Sequence, residues 1–294
     1  MNFKKLLFVT KFEELGFEAL KTMLNLKEVA LQHVVFMTVI ERDQVAMQRG
    51  TGYDKKGERK LRETANIRFI DWAEHLFEMG MEVGAYIVVG TLIPQIILAA
   101  KKEEADLIVI GRTQKGLLEQ FYSGSEVVEL LNRTALPVLV YPPRPDLGAA
   151  SGHLFDTPLL ATDFSPASNK SLEYTKSLHK VIKQVHVMHV ISEKDLKGNS
   201  NMLIQQSRKE ARKKLDQLCD ELEAAGIDAR PHVYVGEPVE EIEKATKECG
   251  ASLTILGSSA KAAWIERFIG SIPRRIAEKS PTPTLIIPPN QSAT

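Results

Sequence analysis

Residues 137–143 read PVLVYPP, and 146 positions later residues 283–289 read PTLIIPP. The segment VTKF at 9–12 returns as ATDF at 161–164. A spaced set also returns after 146 positions: Gly111, Gln114, Gly124 and Ser125 recur as Gly257, Ala260, Gly270 and Ser271. Matches at a nearly constant separation indicate a duplicated domain. We therefore predict two domains, at residues 1–146 and 154–290, joined by a linker of glycine, proline and alanine.

The composition is that of an ordinary globular protein and argues against several other classes of protein. Of 294 residues, 44% are hydrophobic and 26% charged, while Lys+Arg and Asp+Glu both number 38. No global field therefore recruits nucleic acid or an anionic membrane. The apolar run at the start is too short for a signal peptide, and the two cysteines, Cys219 and Cys249, lack metal-ligand spacing. We expect a cytoplasmic protein with free thiols, no metal site and no membrane span.

Each predicted domain alternates short β-branched runs with amphipathic helices, such as 200–225. The runs LIVI (107–110) and LTIL (253–256) are almost wholly apolar, as in parallel strands covered on both faces. The predicted fold class is α/β, with two tandem doubly wound five-stranded parallel-sheet domains. Residues 49–57, an insertion in the first copy, are interpreted as a surface loop. The predicted strands are 6–9, 34–39, 82–89, 107–110, 138–141, 159–162, 185–190, 230–235, 253–256 and 284–287.

Three elements of the second copy should converge at the carboxyl ends of its strands, where open α/β sheets bind ligands. Asp163 follows the first strand and offers a carboxylate to hydroxyl or amine donors. Gly257 follows the fourth strand and lets the backbone turn and approach a ligand. Gly270 and Ser271 precede a helix predicted over 272–279, so their free amides and the helix dipole favour phosphate. The sequence fits neither a Walker A motif nor G-x-G-x-x-G.

The order of these motifs resembles the universal stress protein family. The shared features are ATDFS after the first strand, the G-x2-G-x9-G-S/T loop after the fourth, and Pro-x-Leu in the last. The resemblance covers nearly the whole chain and implies an adenine nucleotide alpha-hydrolase-like fold in both halves. The spaced loop is the family's ATP signature. The resemblance also matches His189 to a structural histidine on the second strand.

The resemblance implies a nucleotide site in the second half and a degenerate one in the first. Ala260 stands where the family usually has glycine. In the first half, Lys11 replaces the strand-end Asp, Gln114 replaces a glycine, and Glu126 would repel phosphate. The implied binding residues of the second half are Ala161, Asp163, Val190, Leu256, Gly257, Ala260, Gly270, Ser271 and Ile272. The weaker first site retains Val9, Val39, Gly111, Gly124 and Ser125.

The function implied is a cytoplasmic stress-response protein that binds ATP, ADP or AMP without dedicated catalysis, with Mg²⁺ as a candidate companion ion and no catalytic residue. The resemblance further implies that the final strands of the two halves, 138–141 and 284–287, pair within one molecule. A homodimer is a further candidate assembly. Two alternatives stay open. One is slow ATP hydrolysis, and the other is a lipid or metabolite carrier or signalling adaptor that uses the first pocket, with Lys11 facing an acidic ligand or held in a salt bridge.

Overall fold

The fold is taken from a computed structural model, which describes residues 3–12, 15–45, 52–112, 123–143, 145, 152–192, 201–258 and 270–288. Ten strands follow the chain: β1 Lys5–Val9, β2 His33–Glu41, β3 Glu82–Gly90, β4 Leu107–Gly111, β5 Val138–Tyr141, β6 Pro158–Ala161, β7 Gln184–Ser192, β8 Asp228–Gly236, β9 Leu253–Gly257 and β10 Thr284–Ile287. The helices between them are α1 Phe17–Lys21, α2 Lys55–Glu78, α3 Leu92–Lys102, α4 Ser123–Arg133, α5 Pro166–Ser177, α6 Asn201–Ala224, α7 Pro238–Glu248 and α8 Ser271–Lys279. Two short 3₁₀ helices, Leu24–Val29 and Arg42–Val45, flank β2.

All ten strands join one sheet in the order β3-β2-β1-β4-β5-β10-β9-β6-β7-β8. Within each half every pairing is parallel, and the strand order reverses beside the first strand. The two halves meet at β5 and β10, which run antiparallel. The predicted fold class is thus confirmed, and the final strands do pair within the chain.

The predicted strands match the observed ones to within two residues, because apolar runs covered on both faces are hard to mistake. On the site side, Thr162 was predicted to end a strand but follows it, since β6 ends at Ala161. The loop predicted at 49–57 is wrong at its end: α2 begins at Lys55, and Asp54 caps it by accepting a hydrogen bond from the Gly57 amide at 2.9 Å. The rest of that loop lies largely outside the described residues.

The repeated VTKF and ATDF segments build the same turn twice. Thr10 Oγ1 accepts a hydrogen bond from the Phe12 amide at 2.7 Å, and Thr162 Oγ1 accepts one from the Phe164 amide at 3.0 Å. Both phenylalanines have positive φ, 66° and 59°, which few non-glycine residues adopt. The threonine stabilises this turn in both halves, so threonine and phenylalanine recur at these positions because both halves need the same backbone turn.

The core lies on both faces of the sheet and continues across the joint between the halves. On one face of the first half, Trp72 of α2 lies among aromatic rings, 6.1 Å from Phe8 and 5.4 Å from Phe36 by ring centroids. The start of the predicted second domain is also core, since Leu154 and Phe155 are fully buried and the Leu154 amide donates to the Thr22 carbonyl at 2.9 Å. Within the described ranges, the helices are too short or too polar to cross a lipid bilayer.

Candidate functional site

A cavity of about 560 Å³ opens at the carboxyl ends of the strands in the second half. Its volume is within the usual range for small-molecule sites. The structure brings eight of the nine predicted second-half residues to its wall, while Ala260 lies outside the described residues. The eight are Ala161, Asp163, Val190, Leu256, Gly257, Gly270, Ser271 and Ile272.

Asp163 is held at the cavity wall by the loop after β6. Its Oδ1 accepts hydrogen bonds from the Ser165 amide at 3.0 Å and from Ser168 Oγ at 2.9 Å. Burial alone would raise the pKa of Asp163, but these hydrogen bonds outweigh it and leave the pKa below its ordinary value. At neutral pH the group is therefore an ionised acceptor in a fixed position. Ser168 belongs to α5, whose N-cap is Ser165.

The start of α8 presents backbone N–H groups to the cavity. Gly270 is the N-cap, and among the described residues no side chain caps this end. By contrast, Ser165 caps α5 and Glu237 caps α7 through their side chains. Pro273 has no N–H, so the first-turn donors are the amides of Ser271 and Ile272. The helix was predicted from 272, and it begins one residue earlier, at Ser271.

Positive charge near this helix is partly neutralised. Arg274 lines the cavity, but its Nε donates to Glu278 Oε1 at 3.1 Å. Arg275 donates to Glu237 Oε1 at 2.7 Å, and so bridges the starts of α8 and α7. Among the described residues, the backbone amides are therefore the main fixed attraction for an anion at this end of the cavity.

The structure adds a packing reason for Gly257 to the predicted one. We expected this glycine to permit a sharp turn and close approach of a ligand. A Cβ at this position would lie 2.4 Å from the Ala167 carbonyl oxygen and 2.6 Å from its carbon. Gly257 ends β9 directly beneath α5, so the close approach of helix backbone alone requires glycine here.

Half of the residues that line the cavity were not predicted from the sequence. His189 is the most informative of these residues: its Nδ1 donates to the Thr162 carbonyl at 2.8 Å, and its ring lies 4.4 Å from that of Phe164. Burial lowers the pKa of His189, so the ring is neutral near pH 7, and with its proton on Nδ1 it offers Nε2 as an acceptor. The other additional lining residues are Thr162, Ser168, Met188, Pro238, Ile242, Pro273 and Arg274. Spacing from the repeated motifs could not locate side chains contributed by α5 and α7.

The first half differs at the equivalent place. Lys11 Nζ lies 2.9 Å from Glu41 Oε1, so a salt bridge joins the carboxyl ends of β1 and β2 where the second half has Asp163. Val9 and Val39 are buried in an apolar cluster, and Gly111 ends β4. Gly124 and Ser125 lie in α4, whose described part spans Ser123–Arg133. Gln114 lies outside the described residues.

The fold and cavity define a tandem α/β protein with a small-molecule-sized site at the strand ends of its second half. The profile of the Universal stress protein family matches residues 2–142 and 155–288, and the chain belongs to that family. The family prediction is thereby confirmed for both halves.

Two relatives each match about half of the chain over nearly their whole length. A universal stress protein of Methanocaldococcus jannaschii is 29% identical over 150 residues, which cover 44% of this chain and 92% of the relative. The universal stress protein YxiE of Bacillus subtilis is 26% identical over 147 residues, covering 46% and 99%. A universal stress protein structure from Archaeoglobus fulgidus has the same tandem fold, with a TM-score of 0.72 and 20% identity over 99% of this chain and 100% of that one.

Proposed function

We propose that the second half binds an adenine nucleotide in the cavity described above, and that the protein acts as a nucleotide-dependent stress-response module, not as a dedicated enzyme. The observation that carries the proposal is that two complementary groups line one cavity. An ionised Asp163 lies in its wall, and so does the start of α8, whose amides no described side chain caps. A nucleoside phosphate presents hydroxyl donors at one end and an anion at the other.

The apolar part of the wall suits a nucleobase. Met188 and Val190 of β7, Leu256 of β9 and Ile242 of α7 all line the cavity. Burying the faces of a purine ring against such side chains is favourable. We expect the base to lie among these residues, the ribose hydroxyls to donate to Asp163, and the phosphates to accept from the amides of Ser271 and Ile272. Mg²⁺ would accompany a triphosphate through its phosphate oxygens.

Dedicated hydrolysis is disfavoured by the chemistry of the wall. Of the described lining residues, Asp163 is the only acid, and both serine donors already hold its Oδ1. Efficient phosphoryl transfer needs an acid to hold the metal or position the nucleophile near the γ-phosphate, together with compensating cations. Steady-state turnover should stay well below about one per second, the low end of enzyme rates. Faster turnover would contradict the binding-module proposal.

The test of nucleotide binding uses two matched variants of the full chain. Gly270→Glu places a carboxylate at the start of α8, where it would repel phosphate, and should weaken ATP and ADP binding by at least about tenfold in titration calorimetry. Gly124→Glu makes the equivalent change in the first half and should leave affinity unchanged. Equal affinity of Gly270→Glu and the unmodified chain would remove the proposed site. A loss confined to Gly124→Glu would assign binding to the first half.

A further inference from the structure

A second cluster of chemically active side chains lies away from the cavity. His186 Nδ1 is 3.0 Å from His232 Nε2, and Cys249 Sγ is 4.0 Å from the same His232 nitrogen. All three donor atoms lie within 4.8 Å of one another. His186 is buried, while His232 and Cys249 are partly accessible. No metal site was expected from the sequence, and none of these residues belongs to the predicted nucleotide site.

The fold brings the three residues together from distant positions. In the parallel pair of β7 and β8, His186 lies opposite Arg230 and Met188 opposite His232, so the two histidines are diagonal neighbours on one face. Helix α7 crosses that face and ends at Glu248, and Cys249 is its C-cap residue. Strand β8 is the edge of the sheet, which leaves the cluster open to ions from solvent.

We infer that His186, His232 and Cys249 form a zinc-binding site that links the edge strand β8 to β7 and to the end of α7. Two imidazole nitrogens and one thiolate are donors that Zn²⁺ favours. With Zn–N near 2.0–2.1 Å and Zn–S near 2.3 Å, tetrahedral ligands lie roughly 3.4 Å apart for two nitrogens and roughly 3.6 Å for nitrogen and sulfur. The observed 3.0 and 4.0 Å separations differ from these by less than half an ångström.

The protonation states of the histidines also suit a metal. Burial and the neighbouring His232 lower the pKa of His186 to about 4, and burial lowers the pKa of His232. Both rings are therefore neutral near pH 7 and can each offer a lone pair. Burial raises the pKa of the Cys249 thiol, so binding of Zn²⁺ would displace its proton to solvent. The thiolate forms only when the metal is bound.

Charged groups around the cluster are balanced in sign. After burial, the positive charges of Arg212 and Arg230 lower the pKa of His232, and the negative charge of Glu248 raises it. Asp228 likewise acts to raise the pKa of His186. Glu248 accepts a hydrogen bond from the Tyr234 hydroxyl at 2.9 Å. Bound Zn²⁺ with one thiolate adds a net charge of about +1, which these surroundings do not strongly oppose. Water can complete the tetrahedron as the fourth ligand.

The zinc site is independent of the nucleotide cavity. His186 lies near the amino end of β7, whereas Val190 of the same strand lines the cavity near the carboxyl end. Helix α7 connects the two places, since Pro238 at its start lines the cavity and Cys249 follows its end. Failure of zinc binding would therefore leave the nucleotide proposal standing, and the reverse also holds.

Cobalt provides the first measurement, on the unmodified full chain stripped of metal by chelation. Co²⁺ bound through Cys249 should produce a thiolate-to-metal charge-transfer band in the near ultraviolet and tetrahedral ligand-field bands in the visible. Zn²⁺ should displace both with a stoichiometry of one per chain. A spectrum with no thiolate band at excess Co²⁺ would overturn the proposal without reference to any variant.

Variants then identify the ligands by competition with a chromophoric zinc chelator. His232→Gln and Cys249→Ala should each weaken zinc affinity by at least about tenfold. His179→Gln and Cys219→Ala serve as controls, because His179 is exposed on the surface and Cys219 is buried in the core, both outside the cluster. Zinc affinity equal in all four variants would also overturn the proposal. Circular dichroism checks that each variant is folded.

Discussion

Leu139 of β5 lies directly opposite Leu285 of β10 in the antiparallel pair that joins the two halves. Both side chains are fully buried, and each belongs to the same core cluster as residues from both halves. β5 and β10 would each be an edge strand in an isolated half, with unpaired N–H and C=O groups exposed. Their pairing satisfies those groups and extends the apolar core across the joint.

Shortening a side chain at this joint should destabilise the protein as much as shortening one in the core of either half. Leu285→Ala removes a fully buried side chain and should lower the free energy of unfolding by about 2–5 kcal/mol. Urea denaturation followed by circular dichroism measures the change. Leu98→Ala is the control, since Leu98 is 61% exposed and should change stability by less than about 0.5 kcal/mol. Similar small losses in both variants would show that the joint contributes little.

The carboxylate in the cavity can be tested without disturbing its loop. Asp163→Asn keeps an Oδ1 that can accept from the Ser165 amide and Ser168 Oγ, but it removes the negative charge. Loss of a charge-assisted hydrogen bond to the ribose should weaken adenine-nucleotide binding by roughly tenfold or more, measured by calorimetry.

The matched control for this charge change is Asp216→Asn. Asp216 pairs with Arg212 on the exposed surface of α6, so its neutralisation should not affect nucleotide affinity. If Asp163→Asn bound nucleotide as tightly as this control, the carboxylate would have no role in recognition, and the proposed orientation of the ribose would be wrong.

The sequence predicted the strands and the location of the cavity because those features repeat. The runs at 107–110 and 253–256 are apolar on both faces, which restricts them to a covered parallel sheet. The carboxyl ends of such strands share one edge, so residues after β6 and β9 had to meet there. The topology placed Asp163, Gly257 and the Gly270–Ser271 pair at this edge. The other predicted lining positions came from the family resemblance.

The remaining features depend on contacts that only the folded chain reveals. The pairing of His186 with His232 could not be predicted, because the two residues are 46 positions apart and meet only through the register of β7 with β8. Helix α2 begins at Lys55 because Asp54 caps it, whereas the glycines of residues 49–57 had indicated a loop. The sequence indicated a ligand-binding role for Gly257 but not its contact with α5, because that contact depends on how the helix packs on the sheet. Local patterns do not encode such long-range distances.

Gly257→Ala should destabilise the protein whether or not a ligand is present. The added methyl group would meet the Ala167 backbone at 2.4 Å, and helix backbone cannot move aside as a flexible side chain can. Overpacking of this kind typically costs about 1–3 kcal/mol, which urea denaturation will detect. Gly152→Ala is the matched control, since nothing lies within 4 Å of its added Cβ. A loss of nucleotide affinity with unchanged stability would contradict the packing role and leave the ligand-approach explanation alone.

The two cysteines should differ sharply in their response to alkylation. Burial, with help from Asp216 and Glu223, raises the pKa of Cys219 to about 12, and the side chain is 4% exposed. Because the thiolate is the reactive form and its fraction falls as the pKa rises, Cys219 should resist iodoacetamide at about pH 8 in the native protein.

Cys249 is partly accessible and should react slowly when metal-free and more slowly still with Zn²⁺ bound. Peptide mass spectrometry measures both sites, and urea-unfolded protein, in which both must label fully, is the control. Rapid native labelling of Cys219 would contradict its place in the core, and equal labelling of Cys249 with and without Zn²⁺ would contradict its role as a ligand.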